Sequence, residues 1–204
     1  MAKLALIGAT GNVGSKILAE ALNRGHEVTG IVRNPEKLPQ HPKLTAKRGD
    51  VFDADGLAKL LAGHDAVISA VHFTASDPAV LLRAVKASGV GRYLVVGGAG
   101  SLEVAPGVQL VDTPEFPAIY KEEASKGRDF LNLLRGETEL EWTFLSPSAV
   151  IAPGERTGTF RLGDDQLLVG ADGQSRISQE DYAIAMIDEL EKPAHIRRRF
   201  TVGY

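Results

Sequence analysis

Apolar residues in this chain come in short blocks, alternately continuous and spaced at a helical repeat. Lys3 to Ile7 is a continuous run that stops at Gly8 and predicts a buried strand. Val13, Ile17, Leu18, Ala21 and Leu22 then recur at helical spacing between Asn12 and Arg24, with Gly25 placed to end that helix. Glu27 to Val32 predicts a second strand, broken by Asn34-Pro35, and Leu44 to Lys47 a third, ended by Gly49-Asp50. Asp53 suits the N-cap of a helix over Ala54 to Ala62. Asp65 to Val71 predicts a fourth strand, Pro78 to Ser88 a helix closed by Gly89, and Tyr93 to Val96 a fifth strand stopped by Gly97-Gly98.

Strands alternating with helices imply βαβ crossovers and a parallel sheet, and the unbroken apolar character of the fourth and fifth strands implies cover on both faces. The expected class is α/β, a Rossmann-type doubly wound parallel sheet. Periodicity vanishes between Gly98 and Ala118, where prolines stand at 106, 114 and 117, the mark of a functional or mobile loop. It returns as a helix over Ile119 to Leu134 and a sixth strand over Leu140 to Leu145, ended by Ser146-Pro147. After a glycine-punctuated stretch to Gly173, a helix is expected over Gln179 to Leu190, with Ser178 and Asp181 forming a capping box. Arg199 to Val202 reads as a last strand. Residues 1–204 thus read as one nucleotide-binding domain, in which 151–204 add substrate-side loops, a helix and a strand to a small C-terminal region.

Composition narrows the function. A chain of 204 residues, 44% hydrophobic, is the size of one domain with an ample core and needs no covalent staple. It has no Cys, which excludes disulfides, thiolate metal sites and cysteine nucleophiles, and suits a reducing cytoplasm. A net charge of −3 gives no reason to expect nucleic acid or an anionic membrane as partner. No apolar stretch approaches the ~18 residues of a spanning helix, and the apolar start is too short for a secretion signal. The five His residues show no ligand spacing, so no metal site is expected. Gly100-Ser101 is not a hydrolase elbow, and Arg197-Arg198-Arg199 reads as a solvated run that would alternate faces on entering a strand. The 22 glycines are in excess, and they concentrate at Gly8–Gly14, at Gly97–Gly100 and between Gly154 and Gly173, where backbone is expected to approach a ligand.

The first of these clusters carries the strongest chemical signal. Gly8-Ala9-Thr10-Gly11-Asn12-Val13-Gly14 joins the first strand directly to the first helix. Gly8 permits the tight turn, Gly11 admits a pyrophosphate to the helix N-terminus, and Gly14 allows close helix–strand packing. At the end of the second strand stands Arg33, with Lys37 following and no acid before Glu36. An acid there would favour NADH by accepting from a ribose hydroxyl, whereas a guanidinium pairs with a 2′-phosphate, so NADPH is the expected cofactor. Asp50-Val51 suits contact with an adenine edge, although Asp50 can equally cap a turn. Ala70, Val71 and His72 end the fourth strand at the same crevice, where His72 either meets ribose or substrate or simply lines the cleft.

The glycine motif, Arg33, Asp50 and the Ser146-Pro147-Ser148 turn together resemble the atypical short-chain dehydrogenase/reductase superfamily in its NmrA-like, NAD(P)H-binding branch. Leu140 to Pro147, Pro153 to Gly158, Phe160 to Gly163 and Ile177 to Ala183 are similar to proteins called NADH-flavin reductases, and more distantly to biliverdin IXβ/flavin reductases. The resemblance implies that Pro147 and Ser148 form the nicotinamide-side turn. It also places Ser101 where the superfamily puts a substrate-orienting serine, the alternative being an ordinary loop hydroxyl. Tyr120 either lines the pocket or is a rim aromatic, and the polar loop Gly154 to Gly158 either closes the substrate region or is a structural hairpin with Arg156 bonded to backbone carbonyls.

The superfamily's Tyr with a Lys four residues later is missing. Tyr120 is followed at that spacing by Ala124, Tyr93 by Gly97 and Tyr182 by Met186. Hydride transfer to FMN, another flavin or a quinone needs mainly ring orientation, and a cleft without a strong acid–base pair is compatible with it. The expected activity is therefore a cytoplasmic NAD(P)H-dependent reductase, monomer or homodimer, passing hydride to a small planar acceptor. The rival is a non-catalytic redox sensor that binds NAD(P).

Overall fold

The computed structural model describes residues 1–204. In chain order the strands and helices are β1 (Lys3–Ile7), α1 (Asn12–Asn23), β2 (Glu27–Val32), β3 (Leu44–Arg48), α2 (Ala54–Leu61), β4 (Ala66–Ser69), α3 (Pro78–Ser88) and β5 (Arg92–Val96). They continue with β6 (Glu103–Ala105), β7 (Val108–Gln109), α4 (Lys121–Arg135), β8 (Glu141–Ser146), β9 (Val150–Ala152), β10 (Arg161–Gly163), β11 (Arg176–Ser178), α5 (Gln179–Glu191) and β12 (Arg198–Gly203). The main sheet has eight strands in the order β10-β12-β8-β5-β4-β1-β2-β3. Every neighbouring pair is parallel except β10 with β12 at one edge. The chain leaves β1 for β2 on one side and later returns to place β4 on the other. The crevice at this reversal is where ligands bind in doubly wound sheets.

Alternation along the strands assigns two cores. Leu4 and Leu6 of β1, Ile68 of β4 and Leu94 of β5 face α1 and α5, packing with Ile17, Leu18, Ala21, Tyr182 and Met186. Ala5 and Ile7, Val67, Tyr93 and Val95 face the opposite way, against Leu57 and Leu61 of α2, Leu81 and Val85 of α3, and Phe130 and Leu134 of α4. Each strand buries both sets, which is why no hydrophobic–polar alternation shows in the sequence. Asp53 and Asp77 accept N–H groups at the starts of α2 and α3, and Gly25 and Gly89 take φ of +84° and +79° where α1 and α3 end.

Between β2 and β3, prolines at 35, 39 and 42 limit the chain to one 3₁₀ turn, Pro35–Lys37. Expectation and structure part in three places. The aperiodic stretch after β5 holds the β6–β7 hairpin, β9 and β10 lie in the glycine-punctuated stretch, and β11 follows it. Strands of two or three residues carry no readable alternation.

The arginine triplet is solvated only at Arg197 and Arg198. Arg198 is exposed, but alternation in β12 turns Arg199 inward, where its guanidinium donates to Asp165 (2.6 Å) and to the hydroxyls of Ser101 and Ser146 (both 3.2 Å). Finally, the capping box is half formed. Ser178 Oγ accepts from Asp181 N–H, while the Asp181 carboxylate turns away to Thr157, Gly158 and Tyr204.

Candidate functional site

Gly8 leaves β1 with φ +85°, and a Cβ there would sit 2.5 Å from the carbonyl oxygen of Ala70. A Cβ on Gly14 would sit 2.1 Å from the oxygen of Gly8. Both contacts are with backbone, so only glycine lets α1 and β4 close on this turn. Gly11 is different. Its nearest neighbour would be 3.3 Å away, again the Gly8 oxygen, and it opens toward solvent as the N-cap of α1.

That cap uses no side chain, and the first turn of α1 carries no acid. The N–H groups of Asn12, Val13 and Gly14 therefore have no acceptor within the protein, and the positive end of the helix dipole is not neutralised. Thr10, Gly11 and Asn12 are exposed, Ala9 is buried and Val13 half-buried. A glycine cradle with three unpaired donors fits a pyrophosphate.

The rim of this cradle comes from the ends of β2, β3 and β4. Arg33 is exposed at the end of β2, and its guanidinium has no partner in the protein. Asp50 takes the turn-capping option, its Oδ1 accepting Phe52 N–H at 2.9 Å, while Val51 is half-buried beside it. Ala70 continues the β1–β4 ladder by donating to Ile7, and Val71 packs against the core. His72 projects from the same edge with its side chain 84% exposed, its Nδ1 3.3 Å from Glu123 of α4.

Glu123 is a residue that the sequence did not single out. Its carboxylate also accepts Phe73 N–H, Thr74 N–H and the Thr74 hydroxyl at 2.7–2.8 Å, clamping the loop after β4 to the first turn of α4. Burial pushes the Glu123 carboxyl up, but the Thr74 and Phe73 donors and the nearby imidazole outweigh it and hold the group below its ordinary value. No local pattern announces a contact between positions 50 residues apart.

The nicotinamide-side candidates are placed less simply. Ser101 is only 3% exposed, and its oxygen accepts from Arg199, so it belongs to the Arg199–Asp165–Ser146 cluster. Ser148 is also turned inward, donating to the Val202 carbonyl at 2.9 Å, and Pro147 beside it is buried. Tyr120 is 62% exposed at the start of α4, has no side-chain partner and is not hydrogen-bonded to Ser101. Ala124, where the missing lysine would stand, packs on Gly100, where a Cβ would come within 2.8 Å of the Ala124 Cβ.

The second glycine cluster thus serves packing rather than ligand approach. Gly97 is matched to the Phe144 ring at 2.4 Å, Gly98 to Phe73 at 3.3 Å and Gly100 to α4. In the third cluster, Gly158 and Gly173 have positive φ and open space, the requirement of turns.

The loop 154–158 is docked on α1 and α5 rather than a free cover, and it is not a hairpin, since β9 pairs with β11 and β10 with β12. Arg156 makes a paired contact with Glu20 of α1 (2.8 and 2.9 Å), so its partner is a carboxylate and not backbone carbonyls. Gly154 donates to Glu180, and Thr157 and Gly158 donate to Asp181. The hydrogen bond from Arg156, with a further one from Arg24, holds Glu20 below the usual carboxylate range against the opposing effect of burial. No cluster of three or more His, Asp or Glu side chains is arranged to hold a metal ion, and no helix is long and apolar enough to cross a membrane.

A doubly wound sheet with a glycine cradle at its reversal point defines a Rossmann-type nucleotide-binding protein. The chain belongs to the NAD(P)H-binding family, whose profile matches residues 8–193, and this bears out the resemblance read from the sequence. Solved relatives match it end to end. One from Burkholderia pseudomallei is 48% identical, covers 100% of both chains and superposes with a TM-score of 0.90. A second, from Bacteroides thetaiotaomicron, is 47% identical with a TM-score of 0.95 over 99% of this chain and 96% of its own. A third, from Streptococcus pneumoniae, is 38% identical with a TM-score of 0.83, covering 100% and 99%. Their names, each qualified as putative, are respectively exported protein, epimerase and NADH-flavin reductase.

Proposed function

We propose that the protein is an NADPH-dependent reductase that passes hydride to a small planar acceptor, a flavin or a quinone. The observation that carries this reading is the cradle: three unpaired N–H donors on an uncapped, acid-free helix start, reached through glycines that backbone contacts make irreplaceable. The cradle would hold the pyrophosphate, and Val51 and the Asp50 turn would contact the adenine. Arg33, unpaired and exposed at the β2 edge, selects the 2′-phosphate. Pro147 and the backbone at Ser148 flank the nicotinamide, which when bound supplies a hydride. The residues of this chain hold and orient the rings and shield them from water. An epimerase reading asks for a base paired as Tyr–Lys, and Ala124 stands at that position. Reduced nicotinamide is a cytoplasmic reagent, and we place the protein there, acting as a monomer or homodimer.

The test is a turnover assay. Purified protein is mixed with NADPH or NADH and a panel of FMN, riboflavin, quinones and dicarbonyls, following the absorbance of the reduced nicotinamide. Turnover with flavin or quinone and preference for NADPH are expected. Tight NADPH binding without turnover on any acceptor would move the assignment to a redox sensor.

A further inference from the structure

We propose that His72, oriented by Glu123, donates the proton that accompanies hydride transfer, and that the acceptor is therefore one that takes up both, a quinone or an oxidised flavin. The inference rests on the reductase reading and adds to it the group that moves the proton.

Position singles out His72 first. His26, His64 and His195 stand just before β2, β4 and β12, at the amino ends of the parallel strands, and His41 lies in the loop before β3. His72 alone follows the carboxyl end of a strand, at the crevice that holds the cradle. Bonding singles it out again. His26 is bonded through both ring nitrogens, to Ala2 and Glu191, and His64 likewise to Leu61 and Thr29. His195 is bonded to Glu189 and stacked on Phe200. His72 uses only Nδ1, toward Glu123, and its Nε2 has no partner on a side chain 84% exposed.

Glu123 fixes the geometry. Three other donors immobilise its carboxylate, which can only accept, so the neutral imidazole carries its proton on Nδ1. Protonation then occurs at Nε2, the ring nitrogen left without a partner in the protein. Of the other ionisable groups around His72, Tyr120, Lys121 and Glu122 on the same end of α4 make no hydrogen bond to it, and Asp77 is occupied capping α3. Among the other hydroxyls, Tyr120 is exposed and unpaired, with no carboxylate to orient it, and the rest are committed. The Ser101 oxygen is engaged by Arg199, and the Tyr93 and Tyr182 hydroxyls are fully buried, bonded to Ser69 and to the Leu145 carbonyl.

The step balances. The acceptor gains two electrons and one hydrogen as hydride from bound reduced nicotinamide, which is oxidised. Its second hydrogen arrives as a proton from Nε2 of the imidazolium. Neutral imidazole remains and is reprotonated by water, which its exposure allows.

Two measurements test this. In cofactor-free protein, ¹⁵N NMR of the His72 ring should show the neutral form protonated on Nδ1, a tautomer preference that is lost in Glu123→Ala. A proton on Nε2, or a tautomer unchanged in Glu123→Ala, would overturn the orienting role. In turnover with NADPH and a quinone, kcat of the native enzyme should fall as pH rises and the ring spectra show His72 losing its proton. His72→Ala should lose on the order of 10²-fold in kcat, flatten the profile and regain activity with added imidazole, while NADPH affinity stays nearly constant. Native kcat and profile in His72→Ala would overturn the proposal alone. Loss of NADPH affinity without imidazole rescue would do the same by making His72 a cofactor ligand. Absence of turnover in the native protein would instead remove the reductase reading, and this inference with it.

Discussion

The two ends of the molecule treat their polar groups in opposite ways. Around β1, β2 and β4, polar groups face the crevice uncommitted: the N–H groups of Asn12, Val13 and Gly14, the Arg33 guanidinium and Nε2 of His72. From Ser101 to Tyr204 the conspicuous polar groups hold one another. Arg156 is clasped to Glu20, Asp181 receives Thr157, Gly158 and Tyr204, and Arg199 joins Asp165 to Ser101 and Ser146. A buried polar group without a partner costs about 1–3 kcal/mol, so donors left free near the surface are free for a ligand, while those tied internally are structure. The comparison sorts motif residues that look alike in sequence into binding groups and struts.

The sharpest way to break that contrast is at Arg199. Arg199→Met should remove about 3 kcal/mol of stability, read from the urea midpoint, because Ser101 and Ser146 lose a buried donor and Asp165 its closest cation. A cost below about 1 kcal/mol would show that the cluster is not a strut. Next, Gly14→Ala should cost about 1–3 kcal/mol or prevent folding, since its Cβ would meet backbone at 2.1 Å. Gly11→Ala, whose Cβ would meet the Gly8 oxygen at a tight 3.3 Å that a shift of a few tenths of an ångström relieves, should cost less stability and lose NADPH affinity, and calorimetry distinguishes the two outcomes.

Arg33→Ala should weaken NADPH by roughly 10–100-fold, the range of a charge-assisted bond, and NADH by much less. Equal losses would refute the 2′-phosphate assignment. The smallest effect is expected at Arg156→Ala, about 1 kcal/mol of stability with cofactor affinity unchanged, because its side chain is half exposed and Arg24 still pairs Glu20. The pH dependence has a defined sign. Glu20 is held below its ordinary value, so its contribution is complete above the unfolded carboxyl range and is lost as pH falls through the folded value. Acid unfolding of Glu20→Gln should therefore be shallower than that of the native protein.

Much of the fold was legible because long parallel strands and their helices announce themselves by apolar blocks and caps. β2 and α3 lie where spacing put them, over Glu27–Val32 and Pro78–Ser88. The cradle was legible too, because its requirement is local: Gly8, Gly11 and Gly14 are bound to one turn. The remainder was hidden because its meaning is non-local. Nothing near Gly97 reveals the Phe144 ring that excludes a side chain there, nor does anything near Ser148 reveal the Val202 carbonyl that turns its hydroxyl inward. Glu123 reads as an ordinary first-turn acid of α4 until the chain brings Phe73 and Thr74 to it. Arg199 sits in a run that looks solvated, as Arg197 and Arg198 are, until the chain enters β12 and turns its side chain inward.

The central claim is that ligand binding belongs to the uncommitted end of this molecule. The most direct test is to follow backbone amide resonances while titrating the protein with NADPH. The account predicts saturable shifts at Gly8 to Gly14, Arg33, Asp50-Val51 and Ala70 to His72, with residues 154–158 unmoved. Shifts centred on 154–158 and the start of α5, with the cradle amides silent, would contradict it.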